Sequence, residues 1–261
     1  MIELRNVDFA YEDKDVLHDI SFRIEASEAV AIMGPSGSGK STILRLILGL
    51  ENPQRGEVII DGQDISAVKE KERREIRKKI GMVFQDGALF DSLSVGENVG
   101  YYLLEHTRLS FAEIARQAEQ MLGFVGLDTE EIVDKLPEQL SGGMRRRVAI
   151  GRALLSTDPR IMLYDEPTTG LDPQAIQNVL NLIRKLHSER PIATLVVSHQ
   201  IADAVAIAER FIVVSAGVMV FDGGLDRLRD CTDERVREFL DPFRRSFAAV
   251  SRQKFIGEGE Q

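Results

Sequence analysis

The chain alternates short apolar runs with longer segments in which apolar residues recur at helical spacing. Continuous apolar runs at residues 29–33, 80–84, 161–164 and 192–197 are typical of strands buried on both faces of a sheet. Helical periodicity occupies most of the chain between these runs. Because strands that alternate with helices favour parallel pairing, the pattern predicts an α/β fold with a mainly parallel sheet.

A different pattern occupies the N-terminus, where residues 2–11 and 16–24 alternate between apolar and polar positions. This alternation predicts two strands of a small antiparallel sheet, joined by a turn at residues 12–15. A short strand at 56–62 ends in an Asp-Gly turn signal and is expected to join the same sheet. The sequence therefore predicts an N-terminal antiparallel β subdomain.

The middle of the chain, at about residues 86–156, is predicted to be an inserted α-helical subdomain. Ser141 is expected to cap a helix that runs to Ser156. Another helix is predicted over residues 111–125, and one of its faces carries Ile114, Ala118, Met121, Leu122 and Val125. Further helices are predicted at residues 40–50, 69–79, 95–105, 173–189 and 201–208.

Residues 1–240 are expected to form the main domain, and a polar tail follows at 241–261. In this tail Phe243, Phe247 and Phe255 lie among charged residues. Isolated aromatic side chains in a polar terminus bury most surface when they dock on a neighbouring subunit. The tail is therefore interpreted as an interaction segment, with a frayed terminus as the alternative.

Charge and cysteine content narrow the class of protein. The net charge of -9 argues against broad attraction to a nucleic-acid backbone. The single cysteine, Cys231, cannot form an intrachain disulfide, and the first residues lack the charged-then-apolar order of a secretory signal. No uncharged stretch is long enough to span a membrane. These features predict a cytosolic chain whose membrane role, if it has one, comes from a partner.

A nine-residue stretch after the first apolar run has the pattern of a phosphate-binding loop. Its glycines allow a partly left-handed backbone that turns N–H groups towards an anion. Lys40 supplies a mobile charge for the β- and γ-phosphates of ATP, and the Ser41 hydroxyl suits Mg²⁺. The predicted ATP-binding residues of this stretch are Gly34, Pro35, Ser36, Gly37, Ser38, Gly39, Lys40, Ser41 and Thr42.

Two carboxylates, Asp165 and Glu166, directly follow the apolar run at 161–164. Ligands of open α/β sheets collect beyond the carboxyl ends of the strands, so this pair can face the same nucleotide as the phosphate loop. Phosphoryl transfer needs a carboxylate near Mg²⁺ and a group that orients water. Asp165 is predicted to belong to the Mg²⁺ shell and Glu166 to be the general base.

The segment Leu140-Ser-Gly-Gly-Met144, between the phosphate loop and this acidic pair, resembles the signature motif of ATP-binding cassette (ABC) ATPases. The resemblance covers about residues 1–225 and implies a P-loop NTPase with a RecA-like core sheet. It also implies an adenine contact at Tyr11, a Q-loop residue Gln85 near Mg²⁺, a D-loop residue Asp172 and a catalytic switch histidine at His199.

In this family the signature segment completes the ATP site of a second cassette. Ser141, Gly142 and Gly143 are therefore implied to contact a γ-phosphate held by another subunit. Because the chain carries one set of motifs, a homodimer around two ATP molecules is the simplest assembly, and a heterodimer is the alternative.

Several residues depart from the family pattern. Met144 stands where glutamine is common, Gly151 where alanine is usual, and Gly170 where a small serine or alanine is usual. A glycine inside a helix costs up to ~1 kcal/mol relative to alanine. The run Arg145–Arg147 is interpreted as a solvated helix face or a set of ion pairs rather than as a nucleic-acid patch.

Residues 85–98 lie where transport ATPases of this family receive a membrane permease. Leu89, Phe90 and Leu93 are candidates for an apolar groove, and Asp86, Asp91 and Glu97 are candidates for pairing with basic permease residues. The alternative is that Leu89 and Phe90 fill the local core. Docking here would hold the protein peripherally at the cytoplasmic face of the membrane.

The wording of this stretch and of the signature resembles the ATPase of Mce/Mla-type phospholipid transport systems, which implies an Mce-domain lipid-binding protein as a further partner. An amino-acid or metal importer ATPase is the second interpretation. A soluble ABC ATPase acting on DNA or the ribosome is a third, which the acidic balance and the lack of long coiled coils disfavour.

Overall fold

The computed structural model describes residues 1–12, 14–157 and 159–243, and the chain divides into two compact units. One unit comprises residues 1–68 and the described residues from 195 on, and the other comprises residues 69–194. The strands are β1 (Ile2–Tyr11), β2 (Lys14–Ile24), β3 (Ala29–Met33), β4 (Arg55–Ile60), β5 (Gln63–Asp64), β6 (Ile80–Val83), β7 (Ile161–Asp165), β8 (Ala193–Val197), β9 (Arg210–Ser215) and β10 (Val218–Gly224).

The helices lie between these strands and at the end of the described chain. They are α1 (Lys40–Ile47), α2 (Glu70–Arg77), α3 (Val95–His106), α4 (Phe111–Phe124), α5 (Thr129–Ile132), α6 (Gly142–Thr157), α7 (Pro173–Glu189), α8 (Ile201–Ile207), α9 (Leu225–Arg229) and α10 (Glu234–Leu240). Among the helices in the described ranges, none is both long and apolar enough to cross a membrane.

The predicted N-terminal sheet is confirmed, with strand order β2-β1-β4-β5 and antiparallel pairing throughout. Ile2 pairs with Ile24 on one side and with Ile60 on the other. All three isoleucines are fully buried, so the alternation of β1 places its apolar side chains on the core face. Strand β2 begins at Lys14, so the connection is shorter than the predicted turn at 12–15.

The first unit also contains the strand that leads into the phosphate loop. Strand β3 runs parallel to β9, and β10 pairs antiparallel with β9. The carboxyl end of β8 lies beside β3, because the Ser198 amide donates to the Ile32 carbonyl (3.1 Å). Helices α8 and α10 pack against this sheet through Ala204, Val236 and Leu240.

In the second unit β6 and β7 are parallel neighbours. The N-termini of α3 and α4 each carry a capping box, made by Ser94 with Glu97 and by Ser110 with Glu113. The predicted apolar face of α4 is confirmed, because Ile114, Ala118, Leu122 and Val125 are buried and Met121 is half-buried. Strand β8 begins in this unit, where the Ala193 amide donates to the Arg160 carbonyl (3.0 Å).

The interpretation of Arg145–Arg147 as a solvated face or a set of ion pairs is wrong. Each arginine donates to a backbone carbonyl, and the acceptors are Leu140, Phe84 and Gly126 in turn. Arg146 is only 5% exposed. Backbone carbonyl oxygens are therefore hydrogen-bond partners of all three guanidinium groups.

The predicted tail at 241–261 lies outside the described residues from 244 on. Its first residues, Asp241–Phe243, form a turn of 3₁₀ helix after α10. The proposed interaction role of the tail therefore stays a prediction.

Gly151 lies within α6, close to α4. A Cβ atom there would lie 3.3 Å from Met121 Cγ and 3.6 Å from Val125 Cγ1. The two helices therefore approach closely at this position, and the nearest atom belongs to a flexible side chain.

Gly151→Ala is expected to raise the free energy of unfolding by up to ~1 kcal/mol, because helix propensity improves while Met121 shifts slightly. Gly151→Leu is expected to lower it by about 1–3 kcal/mol through overpacking. Urea unfolding of both variants and the wild type measures the difference. A destabilised alanine variant would show that Met121 cannot give way.

Candidate functional site

The phosphate loop connects β3 to α1 in the first unit. Its glycines have positive φ angles, at 148° for Gly34, 78° for Gly37 and 101° for Gly39. A Cβ atom at Gly34 would lie 2.0 Å from the Val214 carbonyl oxygen, and one at Gly39 would lie 2.5 Å from a Leu17 methyl carbon. The wrapped backbone that the sequence predicts is therefore confirmed, and only glycine fits it at Gly34 and Gly39.

Lys40 is the first residue of α1, and its side chain is only 5% exposed. The Nζ atom donates to the carbonyl oxygens of Gly34 (2.9 Å) and Pro35 (2.8 Å). The ammonium group therefore lies against the loop backbone at the N-terminus of α1, where the helix dipole favours negative charge. This arrangement of donors fits the phosphates of a nucleotide.

Ser38 gives an independent test of that fit. Its Oγ atom is buried, and no hydrogen-bond partner for it exists among the described residues. Buried hydroxyl groups are nearly always hydrogen-bonded, and an unpaired one is costly. The unpaired hydroxyl in the loop is therefore suited to a polar ligand. Ser36, Ser41 and Pro35 are exposed along the same loop.

Tyr11 lies at the end of β1 in the same unit. Its ring meets that of Phe9 edge to face, with centroids 4.7 Å apart, and its hydroxyl accepts a hydrogen bond from Arg45 Nη1 (3.1 Å). Both contacts orient a half-buried aromatic ring. Stacking on adenine stays a prediction.

His199 follows β8 and is half-buried. The preceding residue, Ser198, is hydrogen-bonded to Ile32 of β3, one residue from the end of that strand. His199 and the phosphate loop therefore both follow neighbouring strands at the carboxyl edge of the sheet.

In the second unit Asp165 ends β7 and Glu166 begins the next turn. Glu166 has a φ angle of 47°, which is the left-handed region that costs a residue with a Cβ atom about 1–3 kcal/mol. Thr169 holds this conformation, because its hydroxyl donates to Glu166 Oε2 (2.9 Å) and its amide donates to the Glu166 carbonyl (3.3 Å). The carboxylate is thus oriented by a specific hydrogen bond.

The loop after Glu166 ends at Asp172, which caps α7 by accepting a hydrogen bond from the Ala175 amide (2.9 Å). Gly170 has a φ angle of 79°, and no atom lies within 4 Å of the Cβ position there. Backbone conformation alone therefore explains this glycine, in place of the serine or alanine usual in the family. Asp172 has a structural role as a cap in addition to its predicted D-loop role.

The signature residues form the start of α6. Ser141 Oγ accepts a hydrogen bond from the Met144 amide (3.2 Å), which confirms the predicted cap. Cβ atoms at Gly142 and Gly143 would lie 2.9 Å and 2.7 Å from atoms of Leu171 and Ala175, respectively. The glycine pair therefore allows the start of α6 to pack against the start of α7.

The predicted permease-docking segment begins at Gln85, which is exposed after β6. Phe90 is 43% exposed, so the alternative in which it fills the local core is disfavoured. Its ring contacts Tyr101, with centroids 4.6 Å apart, and lies 5.7 Å from the guanidinium carbon of Arg152. Leu89 and Leu93 are half-buried.

Two residues that the sequence analysis missed hold this segment. Asn98 is fully buried; its amide nitrogen donates to the carbonyls of Phe90, Leu93 and Ser94, and its oxygen accepts from the Phe90 amide. Arg152 donates to the carbonyls of Gly87 (3.0 Å) and Ala88 (2.7 Å), and burial lowers its pKa. The sequence signal for Asn98 was the presence of a polar residue between apolar residues on the inner face of α3.

Comparison with known proteins identifies a matching family and several similar proteins. The sequence profile described as "ABC transporter" matches residues 17–169. The intermembrane phospholipid transport system ATP-binding protein MlaF of Haemophilus influenzae is 37% identical over 92% of this chain and 90% of its own length. The chloroplastic protein TRIGALACTOSYLDIACYLGLYCEROL 3 of Arabidopsis thaliana is 40% identical over 92% of this chain and 73% of its own length.

Similarity also extends to an importer subunit and to a solved dimer. The methionine import ATP-binding protein MetN of Campylobacter jejuni is 38% identical over 92% of this chain and 75% of its own length. An ATP-binding cassette solved as a dimer in a post-hydrolysis state, bound to ADP and Pi, has a TM-score of 0.78 and 36% identity. It covers 86% of this chain and 98% of its own.

Ser38→Ala is expected to raise the free energy of unfolding of the nucleotide-free protein by about 1–3 kcal/mol, because it removes a buried hydroxyl that has no partner. Thermal unfolding without nucleotide measures this gain, and Ser36→Ala, at an exposed position in the same loop, is the control. A Ser38→Ala protein that is less stable than the wild type would show that the hydroxyl is satisfied within the protein.

Proposed function

The chain belongs to the ABC transporter family, as an ATPase, and we propose that it powers phospholipid transport through a separate membrane permease. The observation that carries the lipid assignment is the similarity to the phospholipid transport ATPase of Haemophilus influenzae along nearly the whole of both chains. The comparable identity to a methionine import ATPase keeps an amino-acid or metal importer as the second candidate.

We assign the ATP phosphates to the loop at 34–42, where Lys40 and the helix N-terminus supply positive charge. Tyr11 would contact adenine. Ser41, Gln85 and Asp165 carry the oxygen ligands that Mg²⁺ prefers, and we assign them to its shell. When bound, Mg²⁺ would neutralise charge on the phosphates.

Hydrolysis requires a base for the attacking water, and we assign this role to Glu166. The water oxygen bonds to the γ-phosphorus while its proton passes to the carboxylate, and the bond to ADP breaks to release phosphate. The hydrogen bond from Thr169 to Oε2 orients the carboxylate for this transfer. His199 would contact the γ-phosphate from the neighbouring strand end.

Two copies of the chain are proposed to form the working assembly, since a similar cassette has been solved as a dimer. Ser141, Gly142 and Gly143 stand at the positive end of a 16-residue helix, which favours an anion. They would contact the nucleotide held by the partner copy, with Asp172 nearby. A heterodimer with a related cassette is the alternative.

A groove between α3 and α4, of about 230 Å³, lies next to the predicted docking segment. Its apolar lining includes Gly100, Leu104, Phe111 and Ile114. Phe111 is 79% exposed and Leu104 is 41% exposed, so this face is open to a partner. We propose that a cytoplasmic segment of the permease occupies it and holds the protein at the membrane.

Two acidic residues, Glu97 and Asp134, also line this groove. They would favour a permease segment that carries basic residues beside its apolar anchor. The hydrogen bonds that Asn98 and Arg152 make to residues 87–94 keep the adjoining loop in place, so that docking meets a largely formed surface.

Phe111→Ser is expected to weaken recovery of the permease about tenfold or more, because an exposed aromatic anchor is lost. Leu50→Ser is the control, since Leu50 is a large apolar residue that is 56% exposed in the first unit. Affinity capture with tagged full-length chain measures the recovery. Equal recovery with both variants would reject the groove as the docking site.

Transport of lipid is tested by purifying the chain with its native membrane partners and reconstituting the complex in vesicles with labelled phospholipid. We expect a permease and an Mce-domain protein in the complex, and lipid transfer that needs ATP and fails with Lys40→Ala. Co-purification of a soluble solute-binding protein, with ATP-dependent uptake of an amino acid or metal ion, would support the second candidate and reject the first.

A further inference from the structure

Arg146 is a buried cation that connects two loops of the second unit. From α6 its Nη1 atom donates to the Phe84 carbonyl (2.6 Å), and its Nη2 atom lies 3.5 Å from the Thr169 carbonyl in a long hydrogen bond. Phe84 directly precedes Gln85, and Thr169 belongs to the turn that begins at Glu166. One guanidinium group therefore contacts the backbone beside two residues assigned to the reaction.

The second of these contacts leads directly to the carboxylate. Thr169, whose carbonyl accepts from Arg146, uses its hydroxyl to donate to Glu166 Oε2 (2.9 Å). Its amide donates to the Glu166 carbonyl, so this turn fixes a residue whose φ angle is 47°. Thr169 therefore connects Arg146 to Glu166, because it accepts a hydrogen bond from the first and donates one to the second.

The position of Arg146 carries a cost in stability. Burial lowers the pKa of Arg146, and its Nε atom has no hydrogen-bond partner within the described part of the chain. Asp86, the acidic residue that favours the charged form, is exposed. Burying a cation with an unpartnered donor is costly, but Arg147 on the same helix has the same two features, so the two backbone contacts of Arg146 are what distinguish it.

We propose that Arg146 is a positioning residue for ATP hydrolysis, which holds the backbone at Gln85 and the Thr169–Glu166 turn in their working geometry. The planar guanidinium presents two donors in a fixed fork, so it can engage both carbonyls at once. Because Gln85 leads into the proposed docking segment, the same group ties that segment to the base. The inference rests on the assignment of Glu166 as the general base.

Arg147 provides a matched control on the same helix. It is also partly buried with a pKa lowered by burial, and it also donates to a backbone carbonyl, that of Gly126. Gly126 follows α4, away in sequence from the two loops that Arg146 contacts. Arg147→Gln and Arg146→Gln therefore remove similar interactions, but only Arg146→Gln affects the backbone next to Gln85 and Glu166.

The test measures kcat and KM for MgATP hydrolysis by the full chain with its partner subunits. Arg146→Gln is expected to lower kcat about 10- to 100-fold with KM changed less than about twofold, because the phosphate loop is untouched. Arg147→Gln is expected to lower the melting temperature by about as much as Arg146→Gln does. Its kcat is expected to change less than about twofold. Arg146→Lys, which keeps the charge but loses the fork, should recover part of kcat.

A double variant separates positioning from general loss of stability. In a Glu166→Gln background, Arg146→Gln is expected to change kcat less than about twofold, because both changes act on one unit. If the kcat of the double variant falls by the product of the two single-variant losses, the proposal is overturned. Equal kcat losses in the Arg146→Gln and Arg147→Gln proteins would overturn it too. If Arg146→Gln does not fold, normal kcat in a stable Arg146→Lys protein would overturn it as well. Normal kcat in Glu166→Gln alone would instead reject Glu166 as the base.

Discussion

The close approach of the phosphate loop to its neighbours is the constraint on which the first unit depends. The Gly34 backbone lies so near the Val214 carbonyl that a side chain cannot fit between them. This contact joins the loop after β3 to the end of β9, the strand that runs parallel to it. The register of the sheet and the shape of the loop are therefore set together, and Lys40 can bond carbonyls of the loop itself.

In the second unit, helix α6 is the element on which the neighbouring segments depend. Its first turn carries the signature glycines, which pack closely on the start of α7, and its arginines reach the carbonyls of several loops. Arg152, further along, holds the segment proposed to meet the permease. Guanidinium groups suit this role because they present several donors in fixed directions and do not lose their charge. The signature segment, the proposed base and the proposed docking segment thus all lie near one helix.

Local patterns predicted most strands, most helices and every residue of the phosphate loop. They did not predict α9 and α10, because five- and seven-residue helices contain too few turns to show periodicity; the burial of Val236 and Leu240 depends on α8 and the sheet. They also led to a wrong interpretation of Arg145–Arg147. The partners of those side chains are backbone carbonyls, including one that is 62 residues distant along the chain. Because every residue has a backbone carbonyl, a sequence pattern cannot identify which one accepts.

Several of the places where local preference is violated have a proposed function. Glu166 adopts a left-handed backbone that glycine would adopt without cost, and Ser38 and Arg146 each bury a polar atom without a partner in the described chain. Packing alone would favour glycine, alanine and an apolar residue at these positions, respectively. Ligand binding and proton transfer need the groups that packing disfavours. The stability lost at these positions is consistent with selection for ATP hydrolysis rather than for the most stable fold.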